Sequence, residues 1–314
     1  MRKQEDFLKY INESHQFKGD SIVFGAAMLG EEAVTNALVK VPLKTLNRHG
    51  LIAGATGTGK TKTLQGFAES LSLNGIPVLL MDIKGDLSGL AKASPGHPKI
   101  DERHAAIGIP FKSQEFPVEI LTLSEQEGVR LRATVSEFGP VLLSRILEIN
   151  DTQSSIVAII FKYCDDHNIP LLDLKDFKKI LQFITQEGKS EIEEAYGRLS
   201  TSSTGLILRK IIELEQQGAE LFFGEHSFDV QDLLRIDENG KGMISILRLT
   251  DIQDKPKLFS TFMLQLLAEI YSTFPEQGDS DRPELIIFID EAHLIFSEAS
   301  KALLNQIENI VKLI

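Results

Sequence analysis

Residues 54–61 read GATGTGKT, and this run constrains the fold more than any other part of the chain. Its glycines, Gly54, Gly57 and Gly59, let backbone amides close on a phosphate in conformations that a Cβ would block. The run needs a strand to deliver it and a helix to follow it, because the helix N-terminus turns the positive end of its dipole toward the anion. The flanking residues offer both. Leu51–Gly54 (LIAG) predicts a short buried strand, and from Lys60 onward Leu64, Phe67, Ala68 and Leu71 recur on one helical face. Lys60 is spaced to reach the β- and γ-oxygens of a nucleoside triphosphate, and the Thr61 hydroxyl suits a magnesium ion. Thr56, Thr58 and Lys62 complete the expected nucleotide-binding stretch.

A second constraint lies 230 residues beyond Lys60, where Leu285–Glu291 reads LIIFIDE. Asp290 closes an apolar strand, as a carboxylate holding magnesium through water should, and Glu291 is placed to orient or deprotonate an attacking water. Ile76–Asp82 (IPVLLMD) and Gly242–Leu249 (GMISILRL) are apolar runs of the same kind. Strands without polar alternation are covered on both faces, so they belong to a mainly parallel sheet whose ligands sit beyond the carboxyl ends. Asp82 is expected to end the strand beside the phosphate loop. It either supports the metal shell and the water or caps the polar turn that holds Lys84, Gly85 and Asp86. Arg48, twelve residues ahead of Lys60, and Arg209 are candidates for an arginine that stabilises charge at the γ-phosphate. His293 reads as a packing or hydrogen-bonding residue rather than a metal ligand.

Between about Gly139 and Arg235 the apolar period becomes helical almost throughout. The expected organisation is a small β-containing N-terminal segment (1–50), a first core part (51–138), an all-helical insertion (139–240) and a second core part (241–314). Ser136–Gly240 carry 10 Lys+Arg against 19 Asp+Glu, a net of −9 out of −12 for the chain. Phosphates would be repelled there, so this segment is expected to face away from nucleic acid. The single cysteine, Cys164, falls on a helical pattern, which excludes a disulfide within the chain and reads as core packing. No apolar run approaches the ~18 residues that a membrane span needs, and MRKQEDFLKY has no apolar signal core. The expected setting is the cytoplasm, away from membranes. At the other end SEASKALLNQIENIVKLI reads as helix up to Ile314 with neither a capping glycine nor a proline stop. On that pattern the core continues in a longer protein, and this chain binds ATP, turns it over slowly and assembles poorly.

Three stretches together, PLKTLNRHGLIAGATGTGKTKTLQ, LLMDIKGDLSGL and LIIFIDEAHLIF, resemble the bacterial HerA-like ATPases of the HerA/FtsK superfamily, most closely their YjgR-type branch. The resemblance follows the order of motifs over nearly the whole chain. It implies an α/β fold with a RecA-like P-loop NTPase core and a helical insertion. It also implies a homo-hexameric ring with ATP and Mg2+ at subunit interfaces, DNA moved through the central hole, and a nuclease or other protein partner. By motif, Lys60 and Thr61 match the phosphate and magnesium residues, Asp290 the metal acid and Glu291 the catalytic glutamate. Arg48 falls where the family places an arginine near the nucleotide. Two departures stand out: the N-terminal barrel of HerA proteins is absent or reduced to a short segment, and the sequence stops before the strand that carries a glutamine sensor and, just ahead of it, another arginine. DEAH at Asp290–His293 also occurs in DEAH-box helicases, but the 230-residue spacing and the single core set this chain apart. Two rival readings are a nucleotide-gated switch whose acidic helices bind a protein partner without DNA, and a kinase that shares the loop.

Overall fold

The computed structural model describes residues 2–274, 280–293 and 299–313, so Leu294, Ile295 and Phe296 of the late motif lie outside it. The chain opens with helix α1 (Arg2–Ser14) and an antiparallel hairpin of β1 (Ser21–Leu29) and β2 (Glu32–Pro42). After the glycine-rich loop come α2 (Lys60–Leu73), β3 (Val78–Asp82), α3 (Pro98–Ile107), β4 (Val118–Thr122) and the two-residue β5 (Val129–Arg130). Five helices follow: α4 (Val135–Ile146), α5 (Asp151–Asp166), α6 (Leu174–Phe183), α7 (Lys189–Tyr196) and α8 (Thr201–Gln216). Then come β6 (Ile244–Arg248), α9 (Pro256–Thr273), β7 (Ile286–Ile289) and α10 (Lys301–Leu313).

Strands β3 to β7 form one sheet in the order β5-β4-β6-β3-β7, every pairing parallel. Successive residues of a strand point to opposite faces, and the cores divide accordingly. Val78 and Leu80 join Ile244 and Ile246 in a cluster with Leu64, Ala68 and Leu71 of α2. Leu79 and Met81 join Leu121 and Leu247 in the other cluster, which runs on through Phe138, Ile160, Phe177, Ile207 and Leu214 of α4, α5, α6 and α8. Full burial of a side chain of this size stabilises by roughly 1.5–3 kcal/mol, so each sheet face needs its helical cover. The acidic helices therefore share one continuous apolar core with the sheet.

Local signals explain the helix boundaries. Thr134 and Glu137 form a capping box that starts α4 at Val135, four residues before the expected Gly139. Gly139 itself sits at φ 73° and, with Pro140, breaks the helix internally. A second capping box, Asn150 with Gln153, starts α5, and Asp173 caps α6.

Two expectations are corrected. Leu51–Gly54 forms no strand, and Leu51 is 87% exposed. Asp82 ends β3, which lies between β6 and β7, and Gln65 of α2 donates to the Asp86 carbonyl in the turn that follows it. Strand β7 lies at the sheet margin with its residues only half-buried, rather than covered on both faces. Among the described residues no helix is long and apolar enough to cross a membrane.

Candidate functional site at the carboxyl ends of the strands

The glycine-rich loop runs directly into α2, and its conformation depends on glycine. Gly57 has φ 80° and Gly59, the residue before the helix, has φ 96°, both in the left-handed region that side chains disfavour. A Cβ on Gly54 would lie 2.5 Å from Thr58 Oγ1. The loop is closed by its own bonds. Thr58 Oγ1 donates to the Ala55 carbonyl at 2.7 Å, and Lys60 Nζ donates to the carbonyls of Gly54 at 2.8 Å and Ala55 at 3.1 Å. Thr56 is exposed in the same loop and Thr61 lies half-buried in the first turn of the helix. Lys62 turns aside to donate to Gln65 Oε1 at 2.8 Å.

Across the sheet, β7 delivers Asp290 and Glu291. Asp290 continues the ladder, its backbone N–H donating to the Met81 carbonyl at 3.3 Å. Its side chain is 6% exposed. One carboxylate oxygen accepts the Glu291 N–H at 3.0 Å, while the other is buried without a hydrogen-bond partner. Burial raises the Asp290 pKa above the ordinary carboxylate value, and the negative charges of Glu291 and Asp86 add to the rise. An orphaned, desolvated carboxylate oxygen fits a divalent cation. Among the described residues no cluster of three or more His, Cys, Asp or Glu could hold a metal by itself. An ion here would draw most of its ligands from phosphate and water, in keeping with magnesium chemistry.

Glu291 adopts φ 46°, a left-handed conformation that costs a residue with a Cβ roughly 1–2 kcal/mol. Its side chain, 15% exposed, pairs through Oε1 with the ammonium of Lys84, and Oε2 lies 3.4 Å from His293 Nδ1. The hydrogen bond from Lys84 holds the Glu291 carboxyl below its usual range, and the positive charges of His293 and Lys60 act in the same direction. The Lys84–Glu291 pairing is not legible in the sequence, where the two stand 207 positions apart. It follows from the register that sets Met81 beside Ile289, which brings the turns after β3 and β7 level.

Asp82 behaves differently from Asp290. At 1% exposure it accepts Gly85 N–H at 2.7 Å and Leu87 N–H at 3.2 Å, one on each oxygen. These two bonds cap the polar turn that holds Lys84, Gly85 and Asp86. Arg48 is exposed and extended at the end of a short turn, Leu43–Asn47, and Arg209 is exposed on α8. A cavity of about 950 Å³ lies elsewhere, between α4, α9 and α10, lined by Arg145, Lys257 and Ser300 among others.

Comparison with known proteins agrees with this geometry. The model of the helicase HerA-like C-terminal family matches residues 28–314. The DNA double-strand break repair helicase HerA of Sulfolobus acidocaldarius is 21% identical over 292 residues, 90% of this chain and 52% of that protein. The chain thus spans about half the length of that relative. The bacterial conjugative coupling protein TrwB, in two crystal forms, superposes with TM-scores of 0.51 and 0.53 at 18% identity, over 93% and 96% of this chain and 64% and 67% of that one. VirB4 of Thermoanaerobacter pseudethanolicus superposes with a TM-score of 0.50 at 13% identity, over 94% of this chain and 75% of that one. At these identities the solved structures speak for the fold, a RecA-like α/β P-loop architecture built on a parallel sheet.

Proposed function

The chain belongs to the helicase HerA-like C-terminal family of ATPases, and from that premise we propose that it is a magnesium-dependent ATP hydrolase that drives movement along DNA. The observation that supports this reading is the buried, unmatched Asp290 oxygen just beyond β7, beside Glu291, whose carboxyl feels the charge of Lys60, at the end of a parallel sheet where ligands bind. In the reading, amides of Gly54–Gly59 and the start of α2 cradle the phosphates. Lys60 exchanges the carbonyls of Gly54 and Ala55 for phosphate oxygens, which are stronger acceptors because they are charged. Thr61 and Asp290 would hold magnesium, which supplies charge neutralisation at the β- and γ-oxygens. Glu291 accepts a proton from, or orients, the water that attacks the γ-phosphorus in line. Arg48 is proposed to meet developing charge on the γ-phosphate, within a subunit or from its neighbour. By analogy with the family, the working form is a homo-hexamer in the cytoplasm, with a nuclease or other protein as partner. The four-part division of the chain at residues 50, 138 and 240 belongs to the same proposal.

The acidic helical segment supports one alternative: a nucleotide-gated switch in which α4–α8 engage a protein and DNA plays no part. The test is phosphate release with and without magnesium and DNA, alongside mass in solution. Magnesium-dependent release, accelerated by DNA, is expected; release indifferent to DNA favours the switch, and phosphate appearing on an acceptor favours a kinase. Within that assay Lys60→Ala should weaken ATP binding, whereas Glu291→Gln should keep binding and lose ~10²–10⁴ in turnover, the usual worth of a general base. Equal losses of affinity in both variants would overturn the assignment of roles.

A further inference from the structure

No catalytic or binding role has been given to Lys84, which stands in the turn after β3 and pairs with Glu291 beyond β7. The pair joins two loops that the fold holds stiffly. On one side, the turn after β3 is fastened by both Asp82 oxygens and by Gln253, whose Nε2 donates to the Ile83 carbonyl at 3.0 Å. Gly85 keeps that turn tight at φ 81°, where a Cβ would come within 3.2 Å of Thr250 Cγ2. On the other side, Glu291 holds its left-handed backbone directly after the ladder residue Asp290. The Lys84 side chain is half exposed and the Glu291 side chain is mostly buried, so the lysine reaches in from a fixed base to a carboxylate whose other oxygen lies 3.4 Å from His293 Nδ1.

We propose that Lys84 is the positioning residue of Glu291: by engaging Oε1 it fixes the carboxylate so that Oε2 faces the attacking water. The inference rests on the reading of Glu291 as the group that handles that water. Its logic is geometric. A carboxylate on three rotatable bonds samples many orientations, and misplacement of a reacting group by about 1 Å can cost ~10²-fold in rate. An ammonium anchored on the neighbouring strand's turn removes that freedom at one oxygen and leaves the other available. His293 Nδ1, at 3.4 Å and on an exposed side chain, is too weakly placed to do the same.

The test is steady-state ATP turnover of the purified chain with Lys84→Met, Lys84→Arg, Glu291→Gln and the Lys84→Met/Glu291→Gln pair, thermal unfolding serving as the control for folding. Lys84→Met should lower kcat by ~10- to 100-fold with the KM for ATP within about twofold of wild type, as loss of orientation rather than of binding requires. Lys84→Arg should recover a substantial part of the loss. In the Glu291→Gln background the Lys84→Met change should cost nothing more, because its effect passes through that carboxylate. A rise or no change in kcat, a parallel loss in KM, or additive losses in the double variant would each overturn the proposal. Absence of turnover in the wild-type chain would instead count against the ATPase reading. Crystals of wild type and Lys84→Met then decide the positioning claim: a displaced or disordered Glu291 carboxylate supports it, and an unmoved one overturns it.

Discussion

Asp82 and Asp290 sit one residue beyond paired positions of neighbouring parallel strands, both buried, yet they have opposite fates. Asp82 has each oxygen matched to a backbone N–H, from Gly85 and Leu87. Asp290 has one oxygen on the Glu291 N–H and the other on nothing. A buried carboxylate whose bonds are complete secures the fold; one left incomplete is costly to keep and marks a place where something else binds. The two aspartates look alike in sequence, as acids closing apolar strands. Only their partners tell them apart.

The sharpest way to break the contrast is catalytic. Asp290→Ala should reduce magnesium-dependent ATP turnover by ~10² or more, since charge stabilisation by a bound ion is worth several kcal/mol. Phosphate release titrated with magnesium checks this, and turnover within a few-fold of wild type would remove Asp290 from the site.

Stability should run the other way. Asp82→Ala strands two backbone donors in the interior and should cost about 2–4 kcal/mol. Asp290→Ala, which deletes a desolvated charge with an unmet acceptor, should stay within about 1 kcal/mol of wild type or gain. Urea unfolding of both variants is the measurement, and equal destabilisation would show that the two carboxylates do the same job. Smaller in effect, Gly85→Ala should cost about 1 kcal/mol, because φ 81° and the 3.2 Å approach to Thr250 Cγ2 both oppose a Cβ.

Cys164 provides a reporter for the same comparison. It is buried in α5, and burial pushes its thiol up to about 11 from an ordinary value of 9.0. The folded protein therefore favours the neutral thiol. Its contribution to stability is intact below pH 9 and is lost as pH rises toward and through 11. At neutral pH a disulfide reagent should label Cys164 only through unfolding, faster in Asp82→Ala and unchanged in Asp290→Ala. Rapid labelling of native wild type would show that this thiol is not enclosed.

Much of this was legible beforehand where residue chemistry is local. The phosphate loop needs its glycines for close backbone approach, and the observed φ of Gly57 and Gly59 meets that need. Strands β3, β6 and β7 fall within the apolar runs that predict them; for β3 and β6 the reason is that a strand buried on both faces admits little else. Helix α2 starts at Lys60 as its apolar spacing requires. The capping box Thr134–Glu137 was also present in the residues, although the apolar period alone sets the helix start at Gly139. Strand β5, with two residues, is too short to carry any period.

What the residues by themselves determined, then, is the glycine-dependent loop running into α2 and the apolar strands of the parallel sheet. Tertiary structure decided which strands became neighbours, and with that the outcome at three places. LIAG remained outside the sheet, whose five strands pair without it. Asp82 became a cap while one Asp290 oxygen stayed unmatched, because two backbone donors met the first carboxylate and one met the second. Lys84 met Glu291 because a parallel register aligned two turns 207 positions apart. Such long-range pairing depends on the sum of packing on both sheet faces, and no short window of sequence contains that sum.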